Sequence, residues 1–139
     1  GEEDDEVEDA AAAALLAASA SLATVEAGTA GRVASLFAQA ADRRNDASEP
    51  FFCGGLVLPG LAGERPGLIA AAKDVARSHN ASVGMAVGPV RSTGVRHAVD
   101  VVVVNNNVPI VTEHVLGGGG IAMSRAAKSA IDQIRRILL

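Results

Sequence analysis

The segment Val25-Glu26-Ala27-Gly28-Thr29-Ala30-Gly31 holds the residue types best suited to chemistry. A hydroxyl attacks only when a neighbouring group takes its proton, and Thr29 follows the carboxylate of Glu26 by three positions, a candidate nucleophile and base. The competing reading is structural. Thr at a strand-to-helix junction is ordinarily a helix cap, and Glu a first-turn residue or core partner, so capping is the favoured role of Thr29. The glycines from Gly28 to Gly31 and from Gly117 to Gly120 can each present backbone N–H groups to an anion where a helix begins. Gly28, Thr29, Gly31, Gly118 and Gly119 are therefore candidate ligand contacts, with plain turns as the alternative. No Gly-Lys-Ser/Thr is present and no G-x-G-x-x-G follows a strand, which excludes a P-loop and a dinucleotide fingerprint.

Other reactive side chains are scattered. His79, His97 and His114 lie far apart with no partner at metal-ligand spacing, so no metal is expected. Cys53 sits in an apolar run and reads as a small buried hydrophobe rather than a reactive thiol. As the lone cysteine it cannot form an internal disulfide, which argues against a cross-linked secreted scaffold and for an intracellular home, cytoplasmic or in an organellar matrix.

The elements that must position these residues follow from periodicity. Ala and Leu dominate from about Glu6 to Ser19, and acids precede them where a helix dipole favours negative charge, so a helix is predicted there. Ser21 to Glu26 reads as a short strand before a tight turn. Val33, Leu36, Phe37 and Ala40 fall at i, i+3, i+4 and i+7 within Arg32 to Arg43, an amphipathic helix. Phe51 to Leu58 is a short apolar run that predicts a buried strand ended by Pro59. Leu68, Ala72, Val75, Ala76 and His79 recur at helical spacing behind Pro66. Ser82 to Val87 reads as a strand and Gly88 to Gly94 as a loop. Four consecutive valines within Val95 to Val104 suit a central strand packed on both faces. Asn105, Asn106 and Asn107 suit a hairpin turn into a strand from Val108 to Leu116. Ile131, Ile134 and Leu138 mark a closing helix from Ile121, with Arg135 and Arg136 near its end, as Arg43 and Arg44 end the earlier one.

The fold class implied is α/β: a three-layer αβα arrangement with a mixed, mainly parallel sheet of about five strands and flanking helices. A chain of 139 residues with 49% hydrophobic content suits one domain, expected over residues 10–139 behind an acidic segment at 1–9. That segment reads equally as a solvated tail or an interaction segment. The chain begins at Gly1 without a Met, as a processed protein or one domain of something longer would.

The net charge of −4 is concentrated at the start, where Glu2, Glu3, Asp4, Asp5, Glu6, Glu8 and Asp9 supply seven of the 16 acids. The nine acids that remain face 12 basic residues, too mild a balance for a nucleic-acid or membrane surface. Aromatics make up only 2%, which also removes stacking platforms for single strands. No apolar run reaches the roughly 18 to 20 residues that cross a bilayer.

The segment from Val25 to Gly31 resembles the motif Ala-Glu-Ser-Cys-Thr-Gly-Gly of the C-terminal domain of the CinA competence/damage-inducible family, with Glu26, Thr29 and Gly31 matching. Phe51 to Val57 is similar to that family's Phe-x-x-Gly-x-Val strand. The likeness continues through Pro66 and the helix behind it, Met85 to Pro89, the valine-rich hairpin, and a closing helix ending in Arg-Arg. The resemblance implies a nicotinamide mononucleotide amidohydrolase fold in which a motif Ser attacks an amide carbonyl, aided by a Tyr and a Lys after the second strand. This chain departs from that pattern at each working part. Ala27 stands at the nucleophile's position and Gly28 at the following Cys. Pro59 to Glu64 replaces the Tyr- and Lys-bearing connection, and the chain has no Tyr. The substrate loop is shortened to Gly88 to Gly94, where the resemblance implies Gly88 as a further candidate ligand contact, and Gly118-Gly119-Gly120 stands for Gly-Asp-Arg.

Loss of nucleophile, base, loop and polar contacts together leaves no evident way to lower the barrier. The expectation is a catalytically degenerate domain without a cofactor, acting as a structural or interaction subunit with other protein subunits or with itself. It would bind no nucleic acid and insert in no membrane. The alternatives are an active amidohydrolase on that nucleotide, or a regulator that keeps a nucleotide ligand without the chemistry. A structural role predicts an exposed apolar patch outside the pocket.

Overall fold

Valine and alanine decide the middle of the molecule, because small and β-branched side chains let strands and helices approach closely with little aromatic volume to accommodate. The structure, a computed structural model, describes residues 6–44, 50–117 and 122–138. Along the chain run α1 (Val7–Ala17), β1 (Leu22–Glu26), α2 (Arg32–Arg43), β2 (Phe52–Val57) and α3 (Arg65–Ser78). They are followed by β3 (Val83–Val87), β4 (Arg91–Thr93), β5 (Arg96–Asn105), β6 (Val108–Leu116) and α4 (Ala122–Leu138).

These strands form one mixed sheet. β1 is parallel to both β2 and β3, and β5 is antiparallel to β3, β4 and β6. β3 and β4 pair with successive parts of β5, and β6 pairs with nearly its whole length, so β6 must occupy the opposite side. The sheet therefore begins at β2 and ends at β6. Asn106 and Asn107 adopt φ of 53° and 63°, the left-handed conformation that a tight hairpin between twisted strands requires.

Side chains of β5 alternate between two cores, which is why its valine run is buried throughout. Val99, Val101 and Val103 join Leu15, Phe37, Met85 and Ile131 under α1, α2 and α4. Val102 and Val104 join Ala23, Leu68, Ala72 and Ala86 under α3. Among the described residues three helices thus cover one face and one helix covers the other. Ala11 and Ala12 of α1 meet Ala126, Ala127 and Ala130 of α4 in the same core, where small side chains allow close helix contact. No helix among the described residues is long and apolar enough to cross a membrane.

Several expectations are corrected. The stretch from Gly88 to Gly94, read as a loop, contains β4; Arg91-Ser92-Thr93 shows no apolar alternation and is a strand only because a turn at Gly94 returns it to β5. Among the described residues the sheet accordingly has six strands rather than about five. β2, read as buried, is an edge strand whose residues pass from half-buried to exposed. Among the described residues its one strand neighbour is β1; α3 packs mainly over β1, β3 and β5 and meets β2 at its C-cap residue, the His79 ring lying against Gly54. Cys53 is consequently half-buried. His79 follows α3 as its C-cap residue, its ring Nδ1 lying 3.0 Å from the Val75 carbonyl. At the other end of the chain, α1 takes in two of the opening acids: Glu8 is buried against Arg43 at 3.2 Å, and Asp9 meets the same guanidinium.

α3 rests directly on β3, where a Cβ at Gly84 would overlap the carbonyl oxygen of Ala72. Gly84→Ala is expected to cost about 2–3 kcal/mol, the upper range for forced overpacking, read as a lower midpoint in urea unfolding. An unchanged midpoint would mean that α3 does not sit this close to the sheet.

Candidate functional site

Strand alternation puts Leu22, Thr24 and Glu26 on the face of β1 that α2 covers. The Glu26 side chain, last in that row, therefore ends beneath the first turn of α2, and it is fully buried. Beyond Glu26 the chain keeps its place beside β3: Ala27 N–H donates to Val87 O at 3.0 Å and Gly28 N–H to Gly88 O at 3.1 Å. It then turns through Ala30 and Gly31, at φ of 52° and 92°, into α2.

At this junction the Glu26 carboxylate accepts four hydrogen bonds. Oε1 takes the Thr29 hydroxyl at 2.5 Å, Gly31 N–H at 2.9 Å and Val33 N–H at 3.1 Å, and Oε2 takes Ala34 N–H at 2.9 Å. The first N–H groups of a helix lack internal partners and carry partial positive charge, so they make an anion site. Here the protein supplies the anion itself.

The structure gives Thr29 a different place from the capping role expected of it. Thr29 is not the cap: Gly31 holds the N-cap position, makes no side-chain cap bond, and the capping oxygens come from Glu26. Thr29 and Glu26 do have the hydrogen bond a nucleophile and base would need. Both are fully buried, however, and the carboxylate lone pairs are directed at helix amides.

Gly28, Thr29, Gly31 and Gly88 all meet at this junction, while Gly118 and Gly119 lie outside the described residues. Gly88 N–H donates to Asp100 O at 2.9 Å. A Cβ at Gly28 would come within 2.7 Å of Gly88 O and Val90 N and 2.8 Å of a Val90 methyl. The β3–β4 connection thus fills the space beside Gly28. Ala27 offers no side-chain heteroatom.

A second group, which sequence reasoning missed, lies where α2 meets α4. Both helices begin at the same end of the sheet, because β6 runs parallel to β1 and β3 through its antiparallel neighbour β5. Arg32, Ser35, Ser124 and Lys128 line a cleft of about 270 Å³ between them, and Arg125 and Ser129 line an adjoining one of about 470 Å³. Arg32 and Arg125 stand in first turns, where the helix dipole disfavours cations. That violation is the one sequence signal that could have singled them out. Lys128 is held by Glu6 at 3.1 Å.

The histidines do not converge. His114 lies beside Thr112 Oγ1 at 2.9 Å, and burial followed by the charge of Arg136 lowers its pKa from the usual imidazole value. Among the described residues no group of three or more His, Cys, Asp and Glu side chains could hold a metal ion.

Replacing Glu26 by Gln removes the charge that four donors converge on and turns an amide N–H₂ toward backbone N–H groups. A loss of about 2–3 kcal/mol is expected for Glu26→Gln, against about 1 kcal/mol for Thr29→Ala, both from urea unfolding. Equal losses, or none, would mean that the carboxylate does not hold the helix.

No protein-family model and no curated protein matches the chain. Solved structures do. A competence or damage-inducible protein from Enterobacter asburiae superposes with a TM-score of 0.76 at 13% identity, covering 98% of this chain and 100% of that one. A competence damage-inducible protein A from Klebsiella pneumoniae gives a TM-score of 0.70 at 15% identity, covering 96% and 95%. A CinA superfamily protein from Escherichia coli gives 0.60 at 17%, covering 94% and 85%. Matching over whole chains at such low identity, the likeness resides in the backbone: this chain has the CinA-like fold.

Proposed function

We propose that this chain is a catalytically silent CinA-like domain that works as a structural or interaction subunit. The observation that carries the reading is Ala27 at the motif's nucleophile position, with no heteroatom to attack, beside Gly28, whose space Val90 and Gly88 fill. The Glu26 carboxylate under α2 is consistent with it, because it engages the first helix amides and the Thr29 hydroxyl in the core. A reacting amide would need an approach to a nucleophile and donors for the developing oxyanion, and this junction supplies neither in exposed form.

A second reading, a nucleotide-binding regulator, draws support from the cations at the starts of α2 and α4 and the clefts they line. Nicotinamide mononucleotide is the ligand to try, since the sequence motif resembles that of its amidohydrolases.

Native mass spectrometry with and without this nucleotide separates the readings. A silent structural domain is expected to give no adduct and no deamidated product, and no rise in melting temperature by mass action. A stoichiometric adduct without product would favour the regulator. Turnover would overturn the proposal, and its loss in Thr29→Ala would identify Thr29 as the nucleophile.

A further inference from the structure

We infer that the basic clefts between α2 and α4 are the docking site of the chain's own acidic segment, Glu2, Glu3, Asp4 and Asp5. This contact lies outside the Glu26 junction and does not depend on the domain being catalytically silent.

The clefts gather positive charge and leave it unanswered. Arg32 and Arg125 stand in the first turns of α2 and α4, so each guanidinium adds to the positive end of a helix dipole instead of opposing it. Arg32 reaches only neutral atoms, Thr29 O at 3.5 Å and the Met123 sulfur. Arg125 lies against Gly117, its Nη1 3.1 Å from where a Cβ there would stand. Among the described residues neither arginine has an ion-pair partner, and no Asp or Glu lines either cleft. Ser35, Ser124 and Ser129 add hydroxyl donors to the same walls. Carboxylates are the groups such a surface lacks.

One of them is already in place. Glu6, the residue before α1, sets Oε2 3.1 Å from Lys128 Nζ, and Lys128 lines both clefts. The chain thus passes the rim of the clefts immediately after four consecutive acids, which lie outside the described residues. The nearby acids of α1 and α4 are committed elsewhere: Glu8 and Asp9 to Arg43, Asp132 to Arg135 and Arg136.

Reach selects the same segment. Four residues extend about 13 Å. Along α4 the rise from Lys128 back to Arg125 is about 4.5 Å, and packed helix axes stand about 8–10 Å apart, which brings Arg32 within range. A tether this short holds the carboxylates at high effective concentration, so individually weak surface pairs add up to an occupied cleft. A phosphate-bearing ligand, drawn by the same cations, must then displace the chain's own anions.

Zero-length carbodiimide coupling of the full chain, which joins a carboxylate to an amine in contact with it, tests this when read by peptide mass spectrometry. The chain has two lysines: Lys128 in the clefts and Lys73 on α3, across the sheet, as an internal control. Arg32→Lys and Arg125→Lys keep the charge and introduce an amine at each helix start. Residues 2–5 should couple to both introduced amines at least about fivefold more than to Lys73. The yield should fall several-fold in 1 M salt, where screening acts within about 3 Å. Circular dichroism establishes that both variants are folded.

No coupling of residues 2–5 at positions 32 and 125 beyond the Lys73 level would overturn the proposal, as would a yield indifferent to salt. Mixing light and isotopically heavy chains identifies the occupant: coupling within one chain is expected, and coupling only between light and heavy chains would mean that a second copy fills the clefts instead.

Discussion

A single buried carboxylate ties the first strand, the turn after it and the second helix into one unit. Burying an ionised Glu is costly unless its oxygens are fully engaged, and Glu26 meets that condition through three backbone N–H groups and one hydroxyl. The helix dipole adds to the compensation, because the charge sits where the macrodipole is positive. The same contacts that stabilise α2 remove its first amides from ligand binding. Structure and the absence of an open anion cradle at this junction therefore have one cause.

The packing around that unit explains where the molecule is exposed. α1, α2 and α4 share one face of the sheet, with alanines allowing α1 and α4 to lie close. Among the described residues α3 is the one helix on the other face, centred over β1, β3 and β5. β2 lies at the edge of the sheet, and that position rather than its composition leaves Leu56, Val57 and Leu58 exposed.

Much of this was legible in the residues. Val33, Leu36, Phe37 and Ala40 define α2 because one helix face must be apolar, and the observed bounds Arg32–Arg43 agree with the spacing. The four valines of β5 announce a strand buried on both faces, and the asparagines after it a turn with positive φ. What was not legible depended on partners distant in sequence. β4 has no pattern of its own and exists through pairing with β5. Whether an apolar strand is central or at an edge is set by neighbours, so Phe52–Val57 read as buried. Glu26 and Thr29 were found by type, yet a cap reaching up from the preceding strand is invisible to rules that look for it at the helix start. Arg32 and Lys128 are brought to one cleft only by the α2–α4 contact.

The central claim is that an internal anion occupies the start of α2. It is tested most directly by recording the amide resonances of Gly31, Val33 and Ala34 in the labelled protein during titration with inorganic phosphate and nicotinamide mononucleotide. With Glu26 in place these amides should exchange slowly with solvent and keep their shifts through millimolar ligand. Saturable shifts centred on those three residues, or exchange as fast as in an open loop, would contradict the account.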